Sequence, residues 1–148
     1  MTFENISFNT MWSRWLHPGR TASILAGATA AAAVGLGLLL VRQRHEVREP
    51  DYLEGAYFFM LIALISPQGW DYVLLLALPG YMCLVDRFRE LGQGWRIATL
   101  TGFVLTSFAV FDLMRRPLYT HLMLISAGSV GALLLAGALA RLRWRRLA

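Results

Sequence analysis

The sequence predicts an all-α protein: a polytopic transmembrane helical bundle of about five spans, preceded by an N-terminal interfacial helix. Three observations predict it. Of 148 residues, 57% are hydrophobic and only 16% charged, where a soluble domain is charged at about one residue in four. The mean hydropathy is +0.51, and a chain this short has too little interior to hide so many apolar side chains from water. Its basic residues are all Arg and fall in short clusters between apolar runs, as in the cytoplasmic loops of membrane proteins. A nucleic-acid surface would line them along one face of a soluble element, so the net charge of +5 does not point to a nucleic-acid partner.

Residues 1–20 are too polar to span. Phe8, Met11, Trp12, Trp15 and Leu16 recur at helical spacing, with Asn9, Ser13, Arg14 and His17 opposite. That is the pattern of a short helix lying in a membrane interface, and Pro18-Gly19 ends it. The first span covers 21–41; about twenty residues at 1.5 Å each cross a hydrocarbon core of roughly 30 Å. Its Gly27, Ala31 and Gly35 stand four apart, a stripe that lets a neighbouring helix come close. A polar stretch from Arg42 to Glu54 stops it.

The next apolar run is broken at Ser66-Pro67-Gln68-Gly69-Trp70-Asp71. One kinked helix and two shorter ones both fit. Pro67 disfavours helix at Ser66, Gly69 frees a turn and Asp71 can cap a new helix, which favours two spans, near 55–66 and 71–86. Further spans cover 97–113 and 119–140, separated by Arg115-Arg116-Pro117, and a basic tail of Arg141, Arg143, Arg145 and Arg146 follows. The whole of 1–148 reads as one transmembrane domain with no cleavable leader.

Charge placement chooses the topology. With five spans, Arg42, Arg44, Arg48, Arg87, Arg89, Arg96 and the four tail arginines share one side, and Arg14, Arg20, Arg115 and Arg116 the other. Ten against four is a stronger bias than the nine against five of a four-span chain. The larger group therefore lies in the cytoplasm, and the protein is multi-pass in the cytoplasmic (inner) membrane.

This arrangement gathers Asn5, Ser7, Arg14, Gln68, Asp71, Tyr72, Asp112, Arg115 and Arg116 at the outer face, with Trp70 at the interface. Arg115 and Arg116 stand three and four residues from Asp112. They can hold a phosphate or lipid headgroup; equally, Asp112 neutralises them while they snorkel. Asp71 is either a helix cap, worth about 1 kcal/mol, or a ligand for a sugar hydroxyl. Cys83 reads as a small buried apolar side chain. No phosphate-binding glycine loop, metal-ligand spacing or nucleophile with a base is present, so neither cofactor nor metal is expected.

Two stretches say more when taken together. Asn5-Ile6-Ser7-Phe8, followed by Arg14, resembles the Asn-Gln-Ser-Leu segment and later Arg of glycosyltransferase family 87. These are membrane enzymes of GT-C architecture that include polyprenol-phosphate-mannose-dependent mannosyltransferases. Ser66-Pro67-Gln68-Gly69-Trp70-Asp71-Tyr72 resembles that family's Ser-Pro-x-x-Trp-Asp-His turn between two late transmembrane helices. Ile6 replaces the usual Gln, and Tyr72 stands where many members have His. The resemblance covers the C-terminal third of a family member, and no part of this chain matches the first outer loop that carries the family's catalytic Asp.

The resemblance implies the C-terminal part of a GT-C-like fold. It implies hexosyl or mannosyl transfer from a polyprenyl-phosphate-linked sugar donor outside the cytoplasmic membrane. An acidic base would activate the acceptor while basic groups stabilise the leaving phosphate. Asn5, Ser7, Arg14, Gln68, Trp70, Asp71 and Tyr72 would bind substrate, and Arg115 and Arg116 a phosphate or headgroup. The catalytic residue stays unassigned, and the isolated chain would be inactive without an N-terminal membrane part as partner. The competing class is a small non-catalytic integral membrane protein, a scaffold or subunit. A transporter or channel would carry polar residues at mid-membrane depth, where this chain has chiefly Thr106 and Ser107.

Overall fold

The computed structural model describes residues 5–43, 50–66, 75–107 and 116–145. Among them are seven α-helices and no strand, in line with the all-α class: α1 (Phe8–Leu16), α2 (Arg20–Arg42), α3 (Pro50–Ile65), α4 (Leu78–Asp86), α5 (Gln93–Ser107), α6 (Arg116–Leu124) and α7 (Ala127–Arg145). A 3₁₀ turn at Phe88–Glu90 links α4 to α5.

The 23 residues of α2 reach roughly 34 Å at 1.5 Å per residue. Eighteen of them average a mean hydropathy of 2.3, and only 17% of those are buried. Among the described residues this is the one helix long and apolar enough to cross a membrane. Apolar side chains such as Ile24, Leu38 and Leu39 stand exposed along it. The Gly27–Ala31–Gly35 stripe receives no neighbour: a Cβ at Gly27 or Gly35 would meet nothing within 4 Å. The close approach is at Gly37 instead, where a Cβ would sit 2.8 Å from Phe58 Cζ. One helical turn away, the Tyr57 hydroxyl donates to the Ala33 carbonyl at 2.8 Å, joining α3 to α2.

α3 begins earlier than the polar stretch suggests. Pro50 opens it and Asp51 stands in its first turn, a proline and an acid placed where a helix N-terminus favours both. Glu54, expected in the loop, is therefore helical. α3 ends at Ile65, where Pro67 was expected to end it. The Asp71 cap expected for the next helix lies outside the described residues; α4 itself starts at Leu78 with Pro79 in its first turn.

The stretch expected to form the last span is built from two helices. Ser126 takes a left-handed backbone (φ 56°). Its N–H donates to the Met123 carbonyl and its own carbonyl accepts from Val130. One residue thus closes α6 and opens α7.

α7 is the central helix, packing against α2, α3, α4, α5 and α6. Trp95 lies against Gly137 and Thr106 against Gly131, so α5 and α7 run antiparallel. Where they cross, a Cβ on Gly131 would fall 2.8 Å from Thr106 Cγ2 and 3.0 Å from the Gly102 carbonyl; one on Gly102 would meet Leu135 Cγ at 2.8 Å. The two glycines let the backbones touch. Hydroxyls in these apolar helices turn onto their own backbone: Thr106 donates to Gly102 O, Thr99 to Trp95 O and Thr29 to Leu25 O, which hides their polarity.

Gly131→Ala is expected to lower the thermal unfolding midpoint in detergent, reflecting overpacking of about 1–3 kcal/mol. Gly94→Ala, where a Cβ meets nothing within 4 Å, should leave it in place. Equal midpoints for both would show that the two helices do not touch at Gly131.

Candidate functional site

The polar groups collect at the two ends of α7. At its N-terminal end lies the segment that carries the first motif. Asn5 Oδ1 accepts from the Ser7 N–H at 2.8 Å. Ser7 Oγ caps α1, accepting from the Thr10 N–H at 3.4 Å and lying 3.2 Å from Thr10 Oγ1. Ser at this position satisfies a backbone donor that the first helical turn leaves open. Ser7 is buried, so its hydroxyl serves the helix start.

Ile6 is buried over Gly128, where a Cβ would sit 2.8 Å from Ile6 Cγ2. Its carbonyl accepts from the buried Ser129 hydroxyl at 2.8 Å. Arg14 donates through Nη1 to Ser126 Oγ at 3.5 Å. On α1, Phe8 and Met11 are buried and Trp15 and Leu16 exposed, while Ser13, expected on the polar face, is buried too. Trp12 Nε1 reaches Thr29 Oγ1 at 3.0 Å. α1 is thereby docked onto α2 and onto the break before α7.

At the other end of α7 is a feature that sequence reasoning missed. Arg143, expected as a charge of the basic tail, is 1% exposed, and its partner Glu54 is 5% exposed. Arg143 Nε and Nη2 donate to Glu54 Oε1 at 3.0 and 2.7 Å. Nη2 also donates to the Leu40 carbonyl at 2.8 Å. One guanidinium joins α7, α3 and the last turn of α2. Among the described residues, Nη1 has no hydrogen-bond partner.

These contacts order the ends of the helices. α3 leads from Glu54, beside Arg143, to Ser66 just past its last residue; α7 leads from the Ser126 break, beside Arg14, to Arg143. Ser66, the first residue of the second motif, therefore lies at the same end as Asn5, Ser7 and Arg14. Gln68, Trp70, Asp71, Tyr72, Asp112 and Arg115 lie outside the described residues, and Arg116 is the first residue of α6, whose last turn leads into Ser126.

An open groove of about 330 Å³ leads towards this end between α2 and α3, lined by Val34, Phe58, Leu61, Ile62, Ile65 and Ser66. A second, of about 280 Å³, lies between α2, α3 and α7 and shares Leu61. Its Thr29 and Tyr57 hydroxyls are turned onto backbone carbonyls, so both grooves offer hydrocarbon surface. Such walls accept an alkyl chain and offer little to a polar ligand. Cys83 is buried, and the described residues hold no group of three or more His, Cys, Asp or Glu suited to a metal.

No family model matches the chain, and no curated protein or solved structure is significantly similar to it.

Glu54→Gln and Arg143→Met should each destabilise the protein by about 3–5 kcal/mol, because each leaves a buried charged partner uncompensated. The double variant Glu54→Leu/Arg143→Met should recover most of that loss. Additive losses in a double-mutant cycle, read from denaturation in micelles, would show that the two side chains do not interact.

Proposed function

We propose that this chain is the C-terminal membrane region of a polyprenyl-phosphate-sugar-dependent glycosyltransferase. It sits multi-pass, with about five spans, in the cytoplasmic membrane and helps transfer a hexosyl group, mannosyl by the resemblance, on the outer side. The observation that carries the reading is a placement. The Asn5–Arg14 segment and Ser66, where the second motif starts, share one end of the bundle, and an apolar groove runs to Ser66 from between α2 and α3.

On this reading the groove takes the isoprenoid chain of the donor and delivers its phosphate to that end. There Arg14 offers a charge-assisted hydrogen bond to a phosphate oxygen, while Asn5, Gln68, Asp71 and Tyr72 bind sugar hydroxyls beside Trp70. Arg115 and Arg116 flank the same compartment and hold a phosphate or headgroup. The general base that activates the acceptor comes from a further membrane part, so the chain acts with that part rather than alone. Five spans put the Arg143–Glu54 pair at the cytoplasmic end and α1 at the outer interface.

One observation favours the scaffold reading: Ser7 and Arg14, both in the proposed site, already serve the packing of α1. As a scaffold or subunit, the chain would present this end to a partner protein and bind no sugar.

A photoactivatable polyprenyl-phosphate mannose separates the two readings. In membranes, adducts are expected within 58–66 and 5–14, displaced by unlabelled donor. Arg14→Gln should weaken capture about tenfold, the worth of one hydrogen bond to a charged group. Capture that excess donor does not displace, or that Arg14→Gln and Asp71→Asn both leave unchanged, would end the glycosyltransferase reading. Labelling of Gln68→Cys from the cytoplasm alone would invert the topology.

A further inference from the structure

We propose that the end of the bundle opposite the sugar site binds the phosphate of an anionic phospholipid, held between Arg87 after α4 and Arg96 in the first turn of α5. The proposal rests on the membrane part of the reading above and is independent of glycosyl transfer.

The two arginines bracket one short connection. The Nε–H of each is shielded from solvent and, among the described residues, lacks an acceptor. Asp86 Oδ2 lies 3.9 Å from Arg87 Nε, beyond hydrogen-bonding reach. Arg96 spends Nη2 on the carbonyl of Arg89, two residues from Arg87, at 2.6 Å, which folds the connection back onto the start of α5. Trp95 lies against Gly137, which sets the pair about one to two helical turns from Arg143, the third arginine here with an unmatched N–H. A shielded guanidinium N–H without an acceptor is destabilising, and a phosphate supplies several acceptor oxygens of the right charge. Arginine's flexible stem lets the Nε–Nη edge turn outward when such an acceptor arrives. Asp86 and Glu90 share the connection with Arg87, Arg89 and Arg96, so its net charge stays positive.

Lipid is chosen over a free anion because of what adjoins the arginines. Leu78, Met82 and Val85 stand exposed along one side of α4, with Met82 and Val85 about two-thirds exposed. Ile97, Leu100 and Val104 do the same along α5. The spacings are those of one helix face in each case. Tyr81 and Phe103 stack at 5.2 Å between the two helices. Two apolar stripes, on neighbouring helices, therefore end at the two arginines. That is hydrocarbon surface for an acyl chain with a cationic seat for its headgroup phosphate.

The test is native mass spectrometry of the full chain released from nanodiscs of phosphatidylcholine with or without phosphatidylglycerol. Phosphatidylglycerol should be retained over phosphatidylcholine by about thirtyfold, the attraction of two arginines to an anionic lipid. Arg87→Gln/Arg96→Gln should abolish that preference, and Arg42→Gln, at the exposed end of α2, should keep it. Equal retention of both lipids by the parent chain, or an unchanged preference in the double variant, overturns the proposal. Displacement of phosphatidylglycerol by millimolar inorganic phosphate overturns the lipid assignment. Resistance of the chain to carbonate extraction is read separately: extraction would sink membrane insertion itself, whereas an inserted chain without lipid preference sinks this inference alone.

Discussion

The contact between Arg143 and Glu54 decides how the helices of this chain can be arranged. The two residues are 89 positions apart, and the same guanidinium also holds the Leu40 carbonyl. Each charge alone would be expensive to bury, and the pair persists because Arg143 makes three bonds with two of its nitrogens. Its worth lies in direction more than in stability. An apolar helix packs nearly as well upside down, but only one polarity of α2, α3 and α7 brings Leu40, Glu54 and Arg143 together. With those ends set, the N-terminus of α7 must lie at the far end of the bundle, where α1 and the end of α6 join it.

The rest of the polar chemistry is arranged so that little of it faces sideways. Thr29, Thr99 and Thr106 donate to carbonyls of their own helices, and Tyr57 to a neighbouring one. Meanwhile Ile24, Leu38, Leu39, Phe59, Ile62 and Val104 stand exposed. In water this would be an inverted use of side chains. Beside hydrocarbon it is the arrangement that keeps these four hydroxyls matched while apolar side chains face outward. The glycines at 102 and 131 fit the same picture, because close backbone approach supplies dispersion where apolar burial supplies no net drive.

What could be read from the sequence was what depends on neighbours along the chain. Length and hydropathy located α2 almost to the residue. Pro18 and Pro67 marked ends of α1 and α3 because proline restricts its own residue and the one before it. The break at Ser126 was missed because it depends on a single left-handed residue inside an apolar run, and Ser is not the residue that usually marks such a turn. The Gly27 stripe was misjudged for the opposite reason. Spacing shows that a helix has a smooth face but not which face meets a partner; that was decided by Phe58 at Gly37. Arg143 was placed in the tail because its partner is remote in sequence. Of the proposed site residues, Asn5, Ser7 and Arg14 stood out in the sequence only by the resemblance, and nothing local announced that Ser7 caps α1 or that Arg14 meets Ser126.

The two ends of α7 also differ in how readily their polar groups can change partners, and this bears on where function can sit. The bonds of Arg143 are 2.7–3.0 Å long and fully shielded. Exchanging them would strand a carboxylate in an apolar setting, which makes this end a fixed point. Arg14 meets Ser126 at 3.5 Å, the outer limit of a hydrogen bond, in a half-buried position, and Asn5 is only half-buried as well. A phosphate or sugar oxygen replacing Ser126 Oγ as an acceptor for Arg14 would exchange a weak bond for a stronger one. Orientation is therefore held where the bonds are short and shielded, and on the proposed reading recognition falls at the end where the Arg14 contact is longer.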